Sequence, residues 1–217
     1  MIEFYNVHTT IDDKTILKNI TMRILKGEFV YLKGPSGAGK STILRHIYMD
    51  LMPDSGMVVV ENYTSAKIKE RDIPYLRRKL GVVFQDFKLL NDRNVFDNVA
   101  FSLRVTGAQT HDIKRKVMRV LAEVNLGQKR FHYPLELSGG EQQRVAIARA
   151  IVNNPFIVLA DEPTGNLDQQ TSLEIVAILE KINRQGTAVL MATHSDEILR
   201  RFPHRTIALD KGEVVEK

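Results

Sequence analysis

Apolar runs of strand length recur along the chain, separated by stretches of helical period. FVYLKG at 29–34, MVVVE at 57–61, LGVVF at 80–84, FIVLA at 156–160 and AVLMAT at 188–193 read as short, buried-type strands. Ahead of them, IEFYNV and TILKNITMRI are rich in β-formers, with KGE at 26–28 as a turn. TILRHIYMDL at 42–51 has helical period and PDSG at 53–56 reads as a turn. From about Asp86 to Asn153 the pattern is largely helical, and another helix is expected from about Gln169 to Asn183, stopped at Gly186. TIALDKGEVVE reads as a hairpin turning at Lys211-Gly212. Strands alternating with helices predict an α/β fold with a mostly parallel sheet covered on both faces and a helical block inserted between two sheet-forming halves.

Composition narrows the classes. The chain has 217 residues, 43% hydrophobic and 26% charged, which suits one sizeable globular core. No apolar run approaches the roughly 18 residues of a membrane span, and MIEF does not begin a secretory leader pattern. The expectation is a cytoplasmic chain; if a membrane is involved, another chain spans it. The absence of cysteine excludes disulfides, thiolate catalysis and Cys-ligated zinc. Net charge is +5, and the densest basic stretches, LRRK at 76–79 and KRKVMR at 114–119, sit in helix-like segments. They read as solvated helix faces, with anionic lipid as the other reading. No nucleic acid is expected as a partner.

The chemistry begins where one strand runs into glycines. GPSGAGKS at 34–41 fits G-x-x-x-x-G-K-[ST] between a strand and a helix. Gly34, Pro35, Ser36, Gly37, Ala38, Gly39, Lys40, Ser41 and Thr42 would wrap a nucleotide's phosphates with backbone N–H groups at a helix N-terminus. Lys40 would reach the β- and γ-phosphates and Ser41 would ligate Mg²⁺. IVLADE at 157–162 ends a buried strand in two acids: Asp161 for the Mg²⁺ shell, through a water, and Glu162 as general base. His194 follows AVLMAT and could orient the water; Gln85 ends LGVVF and could sense Mg²⁺ or the water. Taken singly, each reads as a structural or surface residue. Together, Gly34, Gln85, Asp161 and His194 are strand ends delivered to one sheet edge, where open α/β sheets bind ligands.

LSGGEQQRVAIARA at 137–150 adds a second helix start. Ser138 and Glu141 form an S-x-x-E capping box. Gly139 and Gly140 reduce helix propensity, which makes sense if bare N–H groups must approach an anion. One domain binding one nucleotide has no need of a second phosphate site unless it serves the ATP of another copy.

With these motifs in this order, the sequence resembles the nucleotide-binding domain of ABC transporters over nearly its whole length. GPSGAGKST looks like Walker A, VLADE like Walker B, Gln85 like the Q-loop glutamine, LSGGEQQ like the signature, GNLD at 165–168 with Asp168 like the D-loop, and His194 like the switch histidine. The resemblance implies a P-loop NTPase fold of ABC-ATPase type: a mostly parallel core, an N-terminal antiparallel β region and an inserted helical subdomain. It divides a single 1–217 domain into a core, 1–87 and 154–217, and a helical part, 88–153. It implies ATP and Mg²⁺ as ligands and a head-to-tail homodimer on ATP binding, with Ser138–Glu141 completing the partner copy's site. It further implies peripheral association with the cytoplasmic face of the cell membrane through an integral membrane partner docked near Gln85.

Two positions depart from the family pattern. Where an aromatic residue usually stacks on adenine, this chain has Thr9, Thr10 and Ile11, so Ile11 is the candidate base contact and weak ATP-versus-GTP selectivity is expected. Ser195 stands where Asp usually follows the switch histidine. Within the family, FQDFKLL, NVAFSLRVTG, LADEPTGNLD and VLMATHSDEIL look closest to the cell-division ATPases, with lipoprotein-release and macrolide-export ATPases as the alternative. A chromosome-type ATPase would place a long coiled coil between the motifs, a translation-factor cassette protein would carry two such domains, and a small-molecule kinase would leave LSGGEQQ unexplained.

Overall fold

A computed structural model describes residues 1–215. The N-terminal third forms strands β1 (Ile2–Ile11), β2 (Lys14–Ile24) and β3 (Phe29–Lys33), helix α1 (Lys40–Ile47), and strands β4 (Ser55–Val60) and β5 (Tyr63–Thr64). Helix α2 (Ile73–Arg77), strand β6 (Leu80–Val83) and helices α3 (Val95–Val105), α4 (Thr110–Glu123) and α5 (Gly139–Ile151) follow. The chain then alternates β7 (Ile157–Asp161), α6 (Gln169–Arg184), β8 (Ala188–Thr193) and α7 (Asp196–Arg201), ending in the hairpin β9 (Arg205–Asp210) and β10 (Glu213–Val215).

Two sheets result. One is antiparallel, in the order β2-β1-β4-β5; the other runs β10-β9-β3-β8-β7-β6. In the second sheet, β9, β3, β8, β7 and β6 are mutually parallel, and only β10 pairs antiparallel. Alternation along the parallel strands explains their apolar runs. Tyr31, Val158, Ala160, Val189 and Met191 point into a core shared with α3, α4, α5 and α6. Val30, Leu32, Ile157, Leu159, Leu190 and Ala192 point into a second core with α1 and the antiparallel sheet. Because both faces are buried, a one-residue slip would exchange two complete sets of core contacts, so register is tightly specified.

Buried polar groups tie these layers together. His46 of α1 is fully buried, its Nε2 2.8 Å from Thr9 Oγ1 and its Nδ1 2.9 Å from Leu51 O. Burial lowers its pKa, so the neutral ring fits, donating from Nδ1–H and accepting at Nε2. Asn98, also fully buried, accepts from Leu90 N–H and donates to the carbonyls of Leu90, Arg93 and Asn94.

Three local expectations shift. Helix α1 starts at Lys40 and stops at Ile47, where Met49 takes a left-handed φ of 52°. Residues 86–94 form an irregular loop pinned by Asn98, so the helical block starts at Val95. Gly56 lies inside β4 rather than in a turn, at a bulge where a Cβ would sit 2.3 Å from Asn6 O. The expected hairpin at Lys211-Gly212 is present, both residues having positive φ. No helix among the described residues is long and apolar enough to cross a membrane.

Candidate functional site

Strands β3, β8, β7 and β6 are adjacent and parallel, so their C-terminal ends open on one edge. A cavity of about 650 Å³ lies there, lined by Pro35, Ser36, Gly37, Gly39, Lys40, Ser41 and Thr42 of the loop, with Gln85, Asp161, Glu162, His194 and Ile16. Gly37 and Gly39 adopt φ of 78° and 101°, conformations that glycine reaches without a Cβ penalty. Gly34 and Ala38 do not line the cavity. A Cβ on Gly34 would meet Leu209 O at 2.5 Å and Ala38 Cβ at 3.0 Å, so these two residues set how closely the loop packs on β9.

Lys40 is 4% exposed, and its ammonium donates to Gly34 O at 2.8 Å and Pro35 O at 2.9 Å. It also lies 3.1 Å from Glu162 Oε1, while Glu162 Oε2 lies 3.2 Å from His194 Nδ1. Glu162 thus bridges the loop lysine and the histidine at the end of β8. Its backbone is held at φ 44° by its N–H donating to Ala192 O and by Gly165 N–H donating to its carbonyl. A non-glycine residue held in this region is strained by about 1–3 kcal/mol, and the surrounding bonds fix it there. Next to it, burial pushes the Asp161 carboxyl above its ordinary range; a Ser41 hydrogen bond draws it down, and the Glu162 charge adds to the rise.

Gln85 reaches the same edge. Its Nε2 donates to Asn166 Oδ1 at 3.4 Å, and Asn166 Nδ2 donates to Gln85 O at 3.3 Å. A Cβ on Gly165 would sit 2.7 Å from Gln85 Nε2, so glycine there admits the amide. Beyond Gln85, Phe87 and Lys88 both have left-handed φ, and the half-buried Arg149 of α5 donates to their carbonyls at 2.9 and 2.6 Å. Sequence reasoning missed Asn166 and Arg149 as partners of this loop. Arg149 lies in the quoted LSGGEQQRVAIARA stretch, but nothing in helical period shows that its guanidinium clamps two strained carbonyls.

Helix α5 begins as its capping box requires: Ser138 Oγ accepts from Glu141 N–H, and Glu141 Oε2 accepts from Ser138 N–H. Lys129 pairs with Glu141 and holds its carboxyl below the usual range. Gly140 has a packing reason inside its own chain: a Cβ there would meet Thr171 Cγ2 of α6 at 2.3 Å. Gly139 is less tightly confined, with Leu167 Cδ2 at 3.2 Å. None of Ser138, Gly139, Gly140 and Glu141 lines the cavity. Asp168 caps α6, accepting from Thr171 N–H and Oγ1. Ile11 pairs with Lys14 at the β1–β2 hairpin and is not among the cavity-lining residues; Ile16, two positions after that turn, is. Ser195 caps α7 by accepting from Ile198 N–H, leaving His194 tied to the site through Glu162.

The chemistry of the edge suits a phosphate chain with a hard divalent cation. A buried ammonium and left-handed glycines form an anion cradle. The Ser41 hydroxyl beside the Asp161 carboxylate is an oxygen donor pair of the kind Mg²⁺ shares with phosphates and water.

Two substitutions separate packing from chemistry. Gly140→Ala is expected to destabilise the chain by about 1–3 kcal/mol through overpacking. Thr171→Ser, which removes the opposing methyl and keeps the hydroxyl on Asp168, should recover most of that loss in urea denaturation; no recovery would contradict the packing reading. For Asp161, a raised pKa means that the ionised carboxylate weakens the fold once pH exceeds the unfolded value of about 3.9. Asp161→Asn should therefore raise the melting temperature of the nucleotide-free chain at neutral pH, the gain fading toward pH 4. An equal or lower melting temperature at neutral pH would contradict this.

Comparison with known proteins agrees with the geometry. Residues 17–165 match the family model described as ABC transporter. Curated relatives include the cell division ATP-binding protein FtsE of Bacillus subtilis, 54% identical over 92% of this chain and 87% of the relative. Those of Streptococcus pneumoniae and Escherichia coli K12 are 52% and 44% identical, covering 93% and 99% of this chain and 87% and 97% of their own lengths. Among solved structures, the dimeric bacterial ABC transporter cassette MJ0796 superposes with a TM-score of 0.89 at 38% identity, covering 100% of this chain and 97% of that one. A dimeric post-hydrolysis state of the same cassette, bound to ADP and Pi, gives 0.88 at 36% identity with the same coverage. From its motifs, its fold and these relatives, the chain belongs to the ABC transporter family and is similar throughout to the FtsE proteins.

Proposed function

We propose that this chain is the ATP-hydrolysing subunit of a cell-division ABC complex, working as a head-to-tail pair in which each copy completes the other's nucleotide site. One observation carries the pairing: the cavity holds the phosphate-binding loop, both acids, Gln85 and His194, whereas Ser138–Glu141 lies outside it on the same chain. The dimeric cassettes to which the chain is similar support it. The relatives' names favour cell division over the lipoprotein-release or export alternative.

Lys40 contacts Glu162 and two loop carbonyls. The phosphate oxygens of ATP would compete for the Lys40 ammonium, leaving the Glu162 carboxylate to face the water. Ser41 and Asp161 would hold Mg²⁺, which would supply charge neutralisation across the phosphates. Glu162 then takes a proton from water as the water oxygen bonds to Pγ, and the bond from Pγ to the bridging oxygen breaks to leave ADP and phosphate. His194 holds Glu162 in orientation from the other side. Ser138 Oγ and the free N–H groups of the α5 N-terminus meet the γ-phosphate of the partner copy's ATP.

Coupling to a membrane runs through a groove beside Gln85. It measures about 560 Å³ and is lined by Phe84, Leu90, Phe101 and Val105 with Arg77, Arg78 and Arg149 at its polar margin. We assign it to an FtsX-like integral membrane partner, which would hold the chain peripherally at the cytoplasmic face. Residues 88–153 then form the helical, partner-facing part of the domain, and 1–87 with 154–217 the phosphate-binding core.

Glu162→Gln should retain ATP binding, slow turnover by about 10²–10⁴-fold and accumulate a nucleotide-bound dimer; wild-type-like hydrolysis would contradict the general-base assignment. Mixing Lys40→Ala chains with Ser138→Arg chains should restore at most one working site per mixed dimer, read as partial recovery of phosphate release. No recovery at any mixing ratio, with both chains folded, would contradict shared sites.

A further inference from the structure

The phosphate end of the cavity is well provided, and the base end is not. Among the described residues no Phe, Tyr or Trp lines it, and Ile16 is the apolar residue contributed by the β1–β2 region. Meanwhile the segment leading into Ser138 carries exposed apolar side chains that nothing in its own chain covers. Leu135 is 83% exposed and Tyr133 47%. Phe131 is also exposed, at 67%, but the Arg130 guanidinium lies over its ring at 4.6 Å.

We propose that Tyr133 and Leu135 close over the base of the ATP held by a second copy of this chain, supplying in trans the apolar contact that each cavity lacks in cis. The inference rests on the head-to-tail pairing proposed above. Pro134–Glu136 forms one 3-10 turn, and Pro134, Leu137 and Gly140 are buried at three-residue spacing. Leu135 and Ser138 are both exposed on either side of the buried Leu137, so both face outward. The turn at Pro134–Glu136 gives way to extended backbone at Leu137 and Ser138, so Leu135 stands at most about 10 Å from Ser138 along the segment, with Tyr133 farther out. If Ser138 meets the γ-phosphate, this spacing carries the apolar pair along the nucleotide toward its base.

The segment is held before any partner arrives. Tyr133 N–H donates to Glu136 Oε2 at 2.6 Å, Pro134 fixes its own φ, and the Ser138–Glu141 capping box follows directly. A preorganised contact loses little conformational freedom on binding. Aromatic and apolar faces accept any base through its π-surface, so this contact strengthens nucleotide binding without selecting adenine over guanine. It thereby accommodates weak ATP-versus-GTP selectivity without leaving the base uncovered.

The test uses the full chain carrying Glu162→Gln and measures the ATP concentration for half-maximal dimerisation by sedimentation. Leu135→Asp and Tyr133→Ala are each expected to raise that concentration about tenfold or more, with ATP and GTP alike, while Phe131→Ala leaves it within about twofold. All three side chains are exposed, so loss of fold does not mimic the result. Photolabelling with 8-azido-ATP should place label on the peptide containing residues 131–137. Unchanged half-points in a chain that still dimerises, or label confined to the β1–β2 hairpin, would overturn the inference and leave the pairing intact. Failure of the Glu162→Gln chain itself to dimerise at any ATP concentration would instead overturn the pairing.

Discussion

Burial of the parallel strands on both faces is the constraint on which the rest of the structure depends. Tyr31 and Val30, Val158 and Ile157, Val189 and Leu190 are successive neighbours sent into opposite cores, so β3, β7 and β8 are gripped from both sides. A strand held in this way has one register and one direction. Its last residue is therefore delivered to a fixed place, and chemistry that needs sub-ångström placement can sit on a loop directly beyond it. Asp161, Glu162 and His194 lie at or directly after such an end, and Lys40 opens the helix at the far side of the loop that follows β3. Turning the chain through the helical block between β6 and β7 brings a second capped helix start, Ser138–Glu141, onto the same molecule but outside the same cavity.

Three strained backbone positions lie beside the site. Glu162, Phe87 and Lys88 are non-glycine residues with left-handed backbone, and each is stabilised by groups on another element: Ala192 and Gly165 for the first, Arg149 for the other two. These clamps join α5 to the loop after Gln85 and β8 to the end of β7. The helical block is thus tied to the loop after Gln85 through Arg149, and Gln85 in turn is tied to Asn166 beside the Glu162 turn.

Much of this was legible in the sequence, and the remainder was hidden for identifiable reasons. The strands behind FVYLK, IVLAD and AVLMAT are apolar without alternation, so their burial and parallel setting could be read directly. GPSGAGKS and VLADE carried their own context, strand before and helix or acids after. The hairpin tip was harder: Ile11 is nearest the family's usual aromatic position, yet the turn at Asp12 and Asp13 brings Ile16 to the cavity instead. Gly140 was read as a bare backbone for an anion, and its steric reason, the Thr171 methyl of α6, depends on a contact between helices far apart in sequence. The Lys40–Glu162–His194 chain of contacts is likewise tertiary, joining three segments whose order in sequence says nothing about their spacing.

The central claim is that a working site is built from two chains. The wild-type ATPase rate, measured against the chain's own concentration at saturating Mg·ATP, tests it most directly. The account predicts that activity per chain rises with concentration at the dilute end and levels off once pairs predominate. Activity per chain that stays constant into dilutions where sedimentation finds only monomer would contradict it.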